Sequence, residues 1–208
     1  MSDPGFEAIA YPSVEPEDPH RPETLEEAVG RRLLVSFDTL TRLDLAALRV
    51  LRTRGHARPV EWLLLRFTVS GEHAAFWHAI AALGALLHGR RRSVYLRATA
   101  AIVVTQAANT IAKTIIQRAR PLLEDLPPLA PTISGLSTPS AHASTSFAAA
   151  SSLSEALPRA PLYAAALVMT LSRPYIGVHY PSDSLVGAAL GTLVAHEARR
   201  AHRRLRRQ

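Results

Sequence analysis

"LRATAAIVVTQAANTIAKTIIQRARP", Leu96 to Pro121, decides the fold. A membrane-crossing helix needs about 20 predominantly apolar residues. Leu96–Ile116 reaches that length, and Pro121 cannot continue a helix. Proline also biases Arg120, just before it, away from helical geometry. Lys113 and Arg120 stand seven apart, a spacing that predicts one helix face two turns long. Two cations then gather near a helix C-terminus, where the macrodipole favours positive charge. Lys113 is also a compositional oddity: of the 24 Lys and Arg residues it is the one lysine.

Four further apolar stretches surround this one: Ala74–Leu87, His142–Leu157, Pro161–Leu171 and Leu185–Ala195. They are shorter and rich in alanine, and mean hydropathy is only +0.06. Taken singly, each fits a buried helix of a soluble bundle. The connections favour a membrane. If Leu96–Ile116 runs outward, "HGRRRS" (His88–Ser93), Arg159 and the C-terminal tail all fall on the inner side. Arginine then marks every inner connection, as the positive-inside rule expects. The outer connections, Pro121–Pro139 and Ser172–Asp183, carry the polar motifs. An odd number of spans leaves residues 1–70 outside. Either Val60–Leu87 holds more than one crossing or interfacial segment, or the N-terminal helices lie on the outer face.

The expected fold is all-α: a membrane-embedded bundle of about five to six helices with N-terminal amphipathic helices. Residues 1–27, rich in Pro and Glu, read as a disordered acidic tail. Residues 28–59 read as an amphipathic interfacial helix and linker, with Leu34, Phe37, Leu40, Leu45, Leu48 and Leu51 at helical spacing and charges between. Residues 60–197 form the bundle, and residues 198–208 a basic cytoplasmic tail. No charged start followed by an apolar run opens the chain, so no cleavable signal peptide is expected. Net charge is +7. Such an excess suits nucleic acid or an anionic membrane surface, and the arginine-rich tail reads as a marker of membrane orientation. Cysteine is absent, which excludes disulfides, a thiolate nucleophile and Cys-ligated zinc.

Two more motifs carry chemistry. "STPSAHAST" (Ser137–Thr145) resembles a helix start at Pro139–Ser140, whose free N–H groups attract anions. His142 falls in the first turn, placed to donate a proton to an anionic ligand. "SRPYIGVHYPSD" (Ser172–Asp183) sets His179 four residues before Asp183. A helix starting near Pro181 puts Asp183 in its first turn. The carboxylate then reaches back to one imidazole nitrogen and leaves the other free to attack. Arg173 adds a cation suited to bidentate contact with phosphate oxygens. Arg118 reads as an interface or capping cation. His73, His78 and His88 lack metal-ligand spacing and read as core or interface residues.

Lys-x6-Arg-Pro, then Pro-Ser-x-His, then Ser-Arg-x5-His-x3-Asp resembles the type 2 phosphatidic acid phosphatase superfamily, whose pocket is shared with the vanadium haloperoxidases. The resemblance covers roughly residues 60 to 197. Ala141 stands where the second motif most often has glycine, and still supplies a backbone N–H. The resemblance implies His179 as nucleophile, forming a phosphohistidine, with Asp183 orienting it. It implies His142 as the acid that protonates the leaving group and then activates water. Lys113, Arg120, Arg173, Ser140 and Ala141 would bind the phosphate oxygens, with no metal and no cofactor. The implied partners are a membrane lipid phosphate and the bilayer, with no nucleic acid. The implied setting is a bacterial plasma membrane with the site extracytoplasmic. The chain's small size and Arg/Ala-rich composition resemble short members that act on polyprenyl-linked phosphates. The actinobacterial decaprenylphosphoryl-5-phosphoribose phosphatases are among these. Prenyl diphosphates, phosphatidylglycerophosphate and phosphatidic acid stay open as substrates. A vanadium-dependent haloperoxidase and a non-enzymatic basic binding protein are the competing readings.

Overall fold

The computed structural model describes residues 25–208, with side chains from Asp38 onward. The acidic tail expected over residues 1–27 falls almost wholly outside them, as do the side chains of Leu34 and Phe37. Seven α-helices follow in order: α1 (Leu25–Thr53), α2 (Arg58–Ser70), α3 (Ala75–Leu87), α4 (Arg92–Ile116), α5 (Ala141–Leu153), α6 (Arg159–Tyr175) and α7 (Pro181–Leu205). Short 3₁₀ turns precede α3 and α4. The five apolar stretches became α3 to α7, so the bundle expected from hydropathy is present. Among the described residues the one strand-like pairing is a single bridge, Ala119 to Leu136.

Thr41–Gln208 form one compact unit, and α5 is its axis. This helix packs against α4, α6 and α7, and all but three of its residues are buried. Its sequence, AHASTSFAAASSL, explains why. Small side chains let neighbouring backbones approach closely, and the hydroxyls satisfy themselves locally. Ser144 donates to the Ser140 carbonyl and Thr145 to that of Ala141. Trp77 donates its indole N–H to Ser146 Oγ at 2.8 Å. On α7 the facing residues are Gly187, Gly191 and Ala195, four apart on one face. A Cβ at Gly191 would stand 1.9 Å from the Ser144 carbonyl oxygen, and one at Gly187 2.5 Å from that of Ser140. Large apolar side chains complete the core: Trp77, Tyr95, Ile102, Leu153 and Leu162 are all buried.

Many large apolar side chains face outward instead, among them Leu86, Leu96, Ile111, Ile115, Leu171 and Leu185. Gly89–Ile116 is long and apolar enough to cross a membrane; among the described residues it is the one such segment. The low mean hydropathy now has a cause. The α5–α7 seam is built of Ala, Ser, Thr and Gly, while many large aliphatic side chains lie on the periphery.

The motif-bearing ends of four helices converge: the C-termini of α4 and α6, and the N-termini of α5 and α7. α2 sits at that same end, tied to the last turn of α6. His56, before α2, stacks on Tyr175 with ring centroids 4.1 Å apart, and Thr68, near its end, bonds Ser172 and Arg173. The second half of α1 is fastened there too. Arg49 forks onto Asp125 at 2.7 and 3.0 Å, and Arg52 holds the Pro127 carbonyl at 2.8 Å. Residues 41–70 therefore lie at the motif-bearing end of the bundle. The opposite end of the bundle carries the arginines of the α3–α4 turn, Arg159 and those of the last turns of α7.

Candidate active site

A cavity of about 350 Å³ opens at the motif-bearing end. Lys113, Arg120, Ala141, His142, Arg173 and His179 all line it. Six of the eight residues singled out in the sequence therefore meet around one space, from segments up to 66 residues apart by numbering. The other two lie behind the wall. Asp183 is fully buried beneath His179, and Ser140 is fully buried beneath the start of α5.

α7 begins at Pro181, and Asp183 closes a capping box with Tyr180. Tyr180 N–H donates to Asp183 Oδ2 at 2.9 Å. That cap holds the carboxylate near the preceding turn, where Oδ2 lies 3.4 Å from His179 Nδ1. Ser137 Oγ also donates to Asp183 Oδ2 and lies 3.3 Å from Nδ1; Thr138 Oγ1 donates to Oδ1. Nδ1 thus faces acceptors, which favours the tautomer with its hydrogen there. Nε2 is left with its lone pair toward the cavity, 3.3 Å from Arg120 Nη1. Burial, opposed by the hydrogen bond to Asp183 and reinforced by the Arg120 and Arg173 charges, lowers the His179 pKa to about 3. The imidazole is neutral at ordinary pH, the state a nucleophile needs.

The expected shared helix face of Lys113 and Arg120 does not exist. α4 ends at Ile116, and Gln117 takes a left-handed conformation with φ 51°. Arg120 lies beyond, on a loop paired to the returning chain through Arg120 N–H to the Gly135 carbonyl and Ser137 N–H to that of Arg118. Its Nε donates to the Ser134 carbonyl at 2.7 Å and its Nη1 to that of Val178 at 2.5 Å. Part of the guanidinium fork therefore serves to aim it beside His179. Burial lowers its pKa, with Asp183 opposing, and the group stays charged. Lys113 Nζ donates to the carbonyls of Leu136 and Ser137 at 2.8 and 3.2 Å. Arg173 Nη1 donates to Thr68 Oγ1, while its buried Nε has no partner within the chain.

α5 starts at Ala141 with extended Ser140 as its N-cap, and His142 stands in its first turn. The Ser140 amide donates to the Asp183 carbonyl at 3.1 Å, so the free first-turn N–H groups begin at Ala141. The Ser140 hydroxyl is buried with no partner within the chain. His142 Nε2 lies 3.1 Å from the Thr68 carbonyl.

Other residues entered without a sequence signal. Arg118, read as an interface cation, bonds Asp183 instead. His73, read as core or interface, lines the cavity mouth on a turn where it and Ala74 have φ of 52° and 59°. Thr68 and Asp44 lie far from any motif, and no spacing rule points to them.

Three cations, a helix N-terminus and a carboxylate-backed histidine thus meet around one cavity within a helical bundle. Residues 94–207 match the PAP2 superfamily, and the chain belongs to that superfamily; it is a phosphatase, a hydrolase of phosphoric monoesters. It is 41% identical over 127 residues to the decaprenylphosphoryl-5-phosphoribose phosphatase of Mycobacterium tuberculosis, across 60% of this chain and 70% of that protein. Identity to the protein of the same name from Mycolicibacterium smegmatis is 40% over 120 residues, covering 56% and 65%. Two crystal structures share the fold. Aquifex aeolicus LpxE superposes with a TM-score of 0.65 at 23% identity, over 76% of this chain and 95% of that one. The transmembrane PAP2-type phosphatidylglycerolphosphate phosphatase of Bacillus subtilis gives 0.64 at 21%, over 80% and 87%.

Proposed function

We propose that this enzyme hydrolyses the phosphomonoester of a membrane lipid, a polyprenyl-linked phosphate of the prenyl-phosphoribose kind, through a phosphohistidine. The observation that carries this reading is His179, with Nδ1 toward Asp183 and Nε2 facing a cavity ringed by Lys113, Arg120 and Arg173. The cations and the Ala141 amide hold the non-bridging oxygens, and the unpartnered Ser140 hydroxyl lies close by. His179 Nε2 attacks phosphorus; an N–P bond forms as the P–O bond to the leaving group breaks. His142 gives its proton to the departing oxygen. It then takes a proton from water, which attacks phosphorus, breaks the N–P bond and releases phosphate. Nε2–H of His142 is held by the Thr68 carbonyl, so Nδ1 carries these transfers: the imidazolium, favoured beside a bound phosphate dianion, gives its Nδ1 proton to the departing oxygen, and the neutral ring then takes one back from water. Three cations supply the charge that a metal would otherwise provide.

The mycobacterial relatives support the prenyl-phosphoribose class. The exposed aliphatic belt and the apolar Gly89–Ile116 segment support a bilayer setting. With the arginine-rich end cytoplasmic, the cavity and residues 41–70 lie on the extracytoplasmic side. The test is phosphate release in EDTA from a prenyl-phosphoribose, a prenyl phosphate, a prenyl diphosphate, phosphatidylglycerophosphate and phosphatidic acid. Prenyl-phosphoribose should lead, and His179→Ala should lose at least ~10³-fold while staying folded. Near-native turnover by that variant, or a strict need for added metal, contradicts the mechanism. A different leading lipid contradicts the substrate class alone.

A further inference from the structure

Asp44 belongs to none of the three motifs and lies on α1, outside residues 94–207 that match the superfamily. Yet its carboxylate is only 5% exposed and grips the start of α7. Ser182 N–H donates to Oδ1 at 3.0 Å, and the Ser182 hydroxyl donates to Oδ2. Arg118 joins this carboxylate to the one behind the nucleophile. Its Nη2 donates to Asp44 Oδ2 at 2.8 Å; its Nη1 donates to Asp183 Oδ1 at 3.1 Å and to Ser182 Oγ at 2.8 Å. The guanidinium carbon stands 3.8 Å from the centre of the Tyr180 ring. Arg118 is thus pinned on both sides and across its face, and it is not among the residues lining the cavity. It is no phosphate ligand.

Two buried carboxylates so close together need a shared cation, because neither can be left unpaired out of water. The planar fork of an arginine meets both at once, which the single ammonium of lysine does not. On the cavity side the His179–Asp183 pair faces Lys113, Arg120, Arg173 and His142. On the far side it faces Arg118, itself balanced by Asp44. We infer that Asp44 and Arg118 are positioning residues for hydrolysis: they clamp Asp183 from Oδ1 so that Oδ2 meets His179 Nδ1, and α1 thereby completes the active site.

The inference rests on the roles given above to His179 and Asp183. Its test uses the full chain in detergent and whichever lipid of the screen the wild type turns over fastest. Asp44→Asn should lower kcat at least ~10-fold with KM within about twofold, since the phosphate-binding cations are untouched. Arg118→Lys should behave alike. The Asp44 loss should vanish in an Asp183→Asn background, because both act through one contact. A merely structural Asp44 would add its full loss there and would lower the melting temperature of both proteins. Three results overturn the inference: kcat within twofold of wild type, a loss confined to KM, or full additivity. An active His179→Ala control sinks the assignment of the pair and this inference together. An inactive control beside a fully active Asp44→Asn sinks only the role of Asp44.

Discussion

Lys113 is the one lysine in an arginine-rich chain, and its surroundings give a reason. Its ammonium holds the carbonyls of Leu136 and Ser137 while facing the cavity. Ser137 in turn donates to Asp183. A compact point charge does both; a planar fork is longer and approaches differently. Lys113→Arg keeps the charge yet should cut kcat at least ~10-fold, and phosphate-release kinetics would show it. Activity equal to wild type would mean that charge alone matters there. His179 makes a second prediction. Its pKa is about 3 in the folded enzyme against an ordinary 6.5. Between those values the unfolded chain takes up a proton that the folded one refuses. This group therefore makes stability fall as pH drops from 6.5 toward 3, and leaves it unaffected above 6.5. His179→Gln should flatten that part of a detergent melting series. An unchanged slope would mean that the imidazole is not buried as described.

At the scale of elements, α5 against α7 positions the chemistry. Ser140, Ala141 and His142 ride on one helix start, and Asp183 on the other. The two backbones touch because Gly187 and Gly191 carry no Cβ. A methyl at Gly191 meets a backbone carbonyl, which cannot swing aside as a flexible side chain would. Gly191→Ala should cost ~3 kcal/mol by forced separation of the helices. Turnover should fall with it, because His142 and Asp183 move apart. A melting curve and kcat on the same preparation check both; full activity at native stability would show that the helices slide freely. The Gly-x3-Gly-x3-Ala spacing is present in the sequence, but nothing local says which helix it packs against. The helix boundaries were otherwise well marked. Pro181 opens α7, and the apolar stretches stop near the ends of α3 to α6. α4 likewise stops where its apolar stretch does, at Ile116; what failed was the helix face expected to run on to Arg120, because Gln117 turns left-handed with no glycine to announce it.

For the whole molecule, charge divides the bundle into two ends. Lys113, Arg120 and Arg173 line the cavity at one, and the other carries the arginines of the α3–α4 turn and the end of α7, while Arg49, Arg54, Arg58 and Arg66 are exposed along α1, α2 and the turn between them. Arg199 still has a structural task, donating to the Ser151 carbonyl at 2.6 Å, whereas Arg203–Gln208 are largely exposed. Removing Arg203–Gln208 should leave kcat in detergent within about twofold, while weakening the orientation bias during membrane insertion. Loss of turnover in detergent would tie the tail to the chemistry. The acidic N-terminal composition and the basic tail were both plain in the sequence. That residues 41–70 lie at the same end as the cavity was not.

The sequence by itself determined the apolar helices and the three motifs whose residues meet at the cavity. Those signals are local: a proline at a helix start, a His–Asp spacing of four, apolar runs of helical length. Only the tertiary structure decided that Arg120 arrives by a loop, that Thr68 orients Arg173 and that Asp44 shares Arg118 with Asp183. Ser182 and Asp44 are 138 residues apart in the chain, and Arg173 and Thr68 are 105. Spacing rules describe neighbours within one helix or turn. Contacts at such separations depend on how the helices pack, and that packing is set by the small residues of α5 and α7.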